Sequence, residues 1–140
     1  MPTPCVNIFW NERENRYLVQ NQVPAPEGGS EPFGEPILVP GDVVGSKLST
    51  LVMEGLEKYP SNVYEPKPAD ALSLKRLRGF FRSHKLVSVA KSPGGEILVS
   101  ACEHRGVLFG GVAGGQVKLP HNATKKDLTK AILEAFQKAT

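Results

Sequence analysis

Residues 85–119 read KLVSVAKSPGGEILVSACEHRGVLFGGVAGGQVKL, and their pattern decides the fold. Val87 and Val89, Ile97 and Val99, Val107 and Phe109 stand two apart within three short runs, and Val117 follows in a fourth segment. β-Branched and aromatic residues at that spacing suit a pleated surface. Ser92-Pro93-Gly94-Gly95 and Glu103-His104-Arg105-Gly106 separate the runs with turn chemistry. Proline presets one backbone angle there, and glycine accepts the unusual ones. The stretch predicts an antiparallel meander at the centre of a sheet. It says how the protein is built and carries no catalytic signature.

The elements on either side follow the same logic. Downstream, Thr124-Lys125-Lys126-Asp127 resembles a capping box with Asp in place of Glu. Leu128, Ala131, Ile132, Ala135 and Phe136 then mark one face of a last helix. Upstream, residues 71–83 read as a helix that buries Leu74, Leu77, Phe80 and Phe81. Residues 44–59 read as another, with Val44, Leu48, Leu51, Val52, Leu56 and Tyr59 at helical spacing and Pro60 ending it. Ile37-Leu38-Val39-Pro40 is a short edge strand or the lead-in to that helix.

Residues 23–36, VPAPEGGSEPFGEP, hold four prolines and three glycines, which deny them a helix or a central strand. They predict a long acidic surface loop, with Glu27, Glu31 and Glu35 around Phe33. Near the start, Val6 to Trp10 and Tyr17 to Gln20 form a hairpin across a polar turn. Phe9 and Trp10 must point to opposite faces of that strand, so one is core. An exposed Trp10 would be a binding anchor. The predicted class is α+β: a largely antiparallel sheet with three helices, in a single domain over residues 1–140.

Composition narrows the function. No apolar run approaches the ~20 residues that span a bilayer, and MPTPCVNIFWNE lacks the basic and apolar regions of a signal peptide. Cys5 and Cys102 are too few for a disulfide framework, which points to a reducing, cytoplasmic setting. The net charge of +3 conceals a split. Residues 1–70 hold 5 Lys/Arg against 10 Asp/Glu, and residues 71–140 hold 12 against 4. If the halves stay apart in space, the protein has two faces of opposite potential.

Known chemistries find little support. No elbow or other local signature joins a serine or cysteine to His84, His104 or His121. Cys102 and His104 share a strand face, but no Cys-x-x-Cys or His-x-x-x-His pattern accompanies them, so no metal is expected. Gly110-Gly111-Val112-Ala113-Gly114-Gly115 lacks the Lys-Ser/Thr and helix that a phosphate loop needs; it predicts a tight hairpin or a bulge. Arg76, Arg78, Arg82 and Lys85 would suit a nucleic-acid-binding module, although without an RNA-binding motif a solvated basic face is the simpler reading.

Taken in succession, the C-terminal segments resemble a family. They are Leu77…Phe80-Phe81, Lys85-Leu86-Val87-Ser88-Val89, Gly95-Glu96-Ile97-Leu98-Val99, Val117-Lys118-Leu119-Pro120 and the Leu128…Ala131…Ala135 helix. The pattern is similar to that of the immunity proteins of bacterial contact-dependent growth inhibition systems, over about residues 74–138. The resemblance implies a small cytoplasmic protein, not an enzyme and without a cofactor. It implies binding and neutralisation of the cognate toxin domain of a secreted adhesin. Many such toxins are nucleases, hence basic, which suits an acidic inhibitor surface. Charge and loop placement, rather than the resemblance, mark Glu12, Glu14, Glu27, Glu31, Phe33 and Glu35 as the residues to meet it.

Overall fold

Alternating apolar residues at both ends of the chain build one six-stranded antiparallel sheet. The strands are β1 (Cys5–Asn11), β2 (Arg16–Pro24), β3 (Ser30–Pro40), β4 (Lys85–Lys91), β5 (Ile97–Arg105) and β6 (Leu108–Leu119). Helices α1 (Gly45–Glu57) and α2 (Lys125–Lys138) pack on it, with a 3-10 turn at Gly41–Val43. The computed structural model describes residues 5–24, 30–43, 45–57, 82–105 and 108–140. Strand order is β3-β2-β1-β4-β5-β6.

The centre of the sheet is therefore β1 against β4, and the β4–β5–β6 meander is one half, not the middle as its sequence suggested. The register shows why. Val6 faces Val89 and Ile8 faces Val87 across β1 and β4, all four fully buried. A meander ending in such a strand would leave its apolar row open, and the N-terminal hairpin completes it. The same row continues through Val19 on β2 and Ala101 on β5.

Both helices cover this face. α1 contributes Leu48, Val52 and Leu56, and α2 contributes Leu128, Ala131, Ile132, Ala135 and Phe136. α1 comes unusually near the strands because position 55 is glycine. A Cβ there would strike the Asn21 side chain and lie 2.8 Å from Val6 Cγ2. α2 begins with the capping box expected from Thr124: its Oγ1 accepts from Asp127 N, and Asp127 Oδ2 accepts from Thr124 N, each at 3.2 Å. The sequence predicts three helices. The described residues carry two, and residues 71–83 lie outside them apart from Arg82 and Ser83.

One further expectation changes, and another is decided between its two alternatives. Most of the expected loop at residues 23–36 is strand: β2 runs to Pro24, and Ser30 onward belongs to β3. Proline excludes a central strand, but β3 is an edge, where a missing N–H can face solvent. Of the hairpin or bulge expected at Gly110–Gly115, the structure makes the bulge. β6 passes through it as one strand, and four of its residues, 112–115, stand opposite Ala101 alone. Gly114, at φ +71°, supplies the left-handed angle that this bulge requires. Beyond Ala101 the β4–β5 ladder ends, and Thr140 takes the next place. Its N–H donates to Cys102 O (3.1 Å), and His104 N–H donates to Thr140 O (3.2 Å).

Candidate interaction surface

The polar turn between β1 and β2 is held by its own side chains. Asn11 Oδ1 accepts from Glu14 N (3.2 Å), and Asn15, at φ +52°, adopts the left-handed angle that Asn tolerates. Gly41 N–H donates to Asn15 O (2.8 Å), which ties the end of β3 to the turn. A groove of about 620 Å³ opens here, lined by Asn11, Glu12, Arg13, Glu14 and Ser83. Glu12 and Glu14 are exposed, and Glu14 forms an ion pair with Arg16.

The remaining acidic candidates lie elsewhere. Glu31, Phe33 and Glu35 are positions of the edge strand β3, where Glu31 pairs with Val23 and Phe33 with Asn21. Glu27 lies outside the described residues. Because Pro40 pairs with Arg16, the β1–β2 turn sits at one end of β3, whereas Glu31 sits at the other. The candidates thus fall into two groups, one at the turn and one along the edge. Of the basic alternative, Arg76 and Arg78 lie outside the described residues, Arg82 is exposed and Lys85 half-buried.

The charge split maps onto the sheet. β1, β2, β3 and α1 come from the acidic half of the chain, and β4, β5, β6 and α2 from the basic half. Strand order places the two sets on either side of the β1–β4 seam. Residues 17–46, which include all of β3, hold Glu27, Glu31, Glu35 and Asp42 and not one Lys or Arg.

Aromatic and nucleophilic groups find structural roles. Trp10 is half-buried and stacks on Tyr17 at 4.5 Å between centroids, so it is no exposed anchor. Phe9 joins Leu86 and Cys102 in a small cluster on the face away from the helices. Burial pushes both thiols up. For Cys5 the Ser88 hydroxyl, at 3.3 Å, offsets part of that rise; for Cys102 a backbone bond from Ser88 offsets part and the nearby Cys5 adds to it. A thiol held neutral is a poor nucleophile and metal ligand. Ser83 Oγ meets His84 Nδ1 at 2.9 Å, but the two are chain neighbours, Ser83 exposed and His84 half-buried against Phe9. His104 Nε2 lies 2.9 Å from His84 O. Among the described residues no group of three or more His, Cys, Asp or Glu side chains could hold a metal ion. Among them, too, no helix is long and apolar enough to cross a membrane.

No protein-family model and no curated protein matches the chain. Solved structures do. A protein of unknown function from Neisseria meningitidis superposes with a TM-score of 0.77 over 99% of this chain and 96% of that one, at 15% identity. A chain of the CdiA-CT/CdiI toxin and immunity complex from Yersinia pseudotuberculosis superposes with a TM-score of 0.72 over 100% and 99%, also at 15% identity. The chain shares their fold. The likeness spans the N-terminal hairpin and β3 as well as the segments in which the sequence resembled the immunity proteins.

Proposed function

We propose that this is an immunity protein, which binds the toxin domain of a contact-dependent growth inhibition adhesin and blocks its active surface without chemistry of its own. The observation that carries the reading is the likeness, over essentially the whole of both chains, to a chain of a toxin and immunity complex. The sequence resemblance reaches the same family independently, from strands and a helix. An acidic half set apart from a basic one supports a partner that is basic, as a nuclease would be. A local acidic surface steers such a partner even though the whole chain carries +3.

Glu12, Glu14, Glu27, Glu31, Phe33 and Glu35 are the residues proposed to meet it. Rim charges mainly set the association rate, and a desolvated aromatic sets the dissociation rate. Glu27, Glu31 and Glu35 changed together to Gln should slow association and flatten its salt dependence. Phe33→Ala should speed dissociation, weakening the complex by about 1–2 kcal/mol. Stopped-flow or surface binding against the cognate toxin domain, sought in the neighbouring reading frame, measures both. Wild-type rates in both variants would remove β3 from the interface. Binding to DNA or RNA that falls steeply with salt would favour the basic segment around Arg82 instead.

A further inference from the structure

Charge is only part of what the β3 edge presents. Ile37 is 44% exposed and Leu38 52%. Adjacent on one strand, they point to opposite faces of the sheet. Ile37 pairs with Val19, at the rim of the helix-covered core. Leu38 pairs with Leu18, the start of an apolar row that continues through Phe9 to Leu86. An apolar strand at an open edge ordinarily invites another strand, because its N–H and C=O groups are unpaired.

Here the backbone is closed to that pairing. Alternate residues of an antiparallel strand direct their N–H groups toward the neighbour and away from it. Proline persists in a ladder only where its missing N–H faces outward. Pro32, Pro36 and Pro40 stand four apart, so the outward row is Ser30, Pro32, Gly34, Pro36, Leu38 and Pro40. Three of its six members lack an N–H, and only Ser30, Gly34 and Leu38 have one to offer, no two of them successive in the row. The ladder also steps from Ile37 opposite Val19 to Phe33 opposite Asn21, which leaves residues 34–36 facing Gln20 alone. The two extra residues keep the alternation in step but bulge the edge, and a bulge bends a strand away from a regular partner.

We propose that the β3 edge is a side-chain docking surface for a basic protein partner, with Ile37 and Leu38 as its apolar anchors, and that its prolines bar strand-to-strand pairing there. The sign of the partner follows from residues 17–46, which carry four acids and no Lys or Arg. A second copy meeting the same edge would set like charges against each other, which disfavours it. The identity of the partner rests on the immunity reading; the barred backbone does not.

Two measurements test the proposal on the full chain. In the first, sedimentation compares wild type with Pro32→Thr/Pro36→Thr/Pro40→Thr at matched concentrations. The wild type should remain a single species and the variant should self-associate. A variant as monodisperse as wild type overturns the barred edge. So does a wild type that self-associates until Ile37→Ser/Leu38→Ser disperses it, because a second copy would then be the occupant. If the triple variant loses its fold by circular dichroism, Pro36→Thr/Pro40→Thr answers the same question. In the second, Ile37→Ser/Leu38→Ser is titrated against the cognate toxin domain, sought in the neighbouring reading frame. Affinity should fall about tenfold or more, through faster dissociation. Unchanged affinity overturns the anchors. A wild type that does not bind that domain overturns the immunity reading and the partner with it, while sedimentation still decides the edge.

Discussion

The two edges of the sheet are built from opposite materials. β6 runs 12 residues without proline and breaks its pattern with glycines, which keep every N–H donor. β3 runs 11 residues with Pro32, Pro36 and Pro40. Both edges are bulged, one opposite Ala101 and the other opposite Gln20. Glycine bulges a strand by adding conformational freedom; proline also strips the edge of donors. The surroundings differ too. α2 packs against β4, β5 and β6, so the meander half is scaffold. β3 leaves Ile37 and Leu38 open to solvent.

If that contrast is real, substitutions in the two halves should act on different quantities. Ile132 is fully buried at the middle of α2's apolar face. Ile132→Asp would bury a carboxylate without a designed partner and should cost on the order of 4 kcal/mol or more. Leu38→Ser, at 52% exposure, should stay within about 0.5 kcal/mol of wild type. Urea unfolding of the pair measures this, and equal losses would erase the distinction between scaffold and docking edge.

Gly55 sharpens the contrast within the acidic half, because it is a packing position there. Alanine ordinarily favours a helix over glycine by about 1 kcal/mol. At position 55 its Cβ would collide with Asn21 and Val6, so Gly55→Ala should instead destabilise by about 1–3 kcal/mol. A stabilised variant would mean that α1 sits farther from β1 and β2.

The smallest effect is a pH dependence shared by both halves through Cys5 on β1 and Cys102 on β5. Burial raises both thiols above the ordinary 9.0, so the fold favours their neutral form. The unfolded thiols ionise first, and that contribution is whole below pH 9.0 and lost as pH rises through the folded values. Burial raises Tyr17 as well, from 10.0, and its contribution is lost at higher pH still. Thermal melts from pH 8 to 11 should therefore fall less steeply for Cys5→Ala/Cys102→Ala than for wild type. Parallel curves would show that the thiols are not buried as described.

The residues that carried the sequence reading were those whose local chemistry has one structural answer. Thr124 and Asp127 made the expected cap, and the α2 face buried the residues its spacing marked. Val87, Val89 and Val99 alternated into the core as their spacing required. Pairing between distant segments was not legible, because nothing local to Val6 or Ile8 says that β1 will sit beside β4. Pro32 and Pro36 suggest a loop in the sequence, yet a missing N–H forbids only the inside of a sheet, and edge position is a tertiary fact. For the same reason Ile37-Leu38-Val39-Pro40 allows either an edge strand or the lead-in to a helix in the sequence, and only the pairing with β2 decides for the strand. The acidic candidates were visible as charges, but their division between the β1–β2 turn and the β3 edge depended on the register.

The central claim is that this fold neutralises a toxin by binding it, and one measurement addresses it directly. The cognate toxin domain, sought in the neighbouring reading frame, is expressed in cells with and without the protein, and the purified pair is weighed by native mass spectrometry. The account predicts rescue of growth and a complex of the two chains that survives purification. Growth arrest that persists in the presence of the protein, with no complex detected, would contradict it.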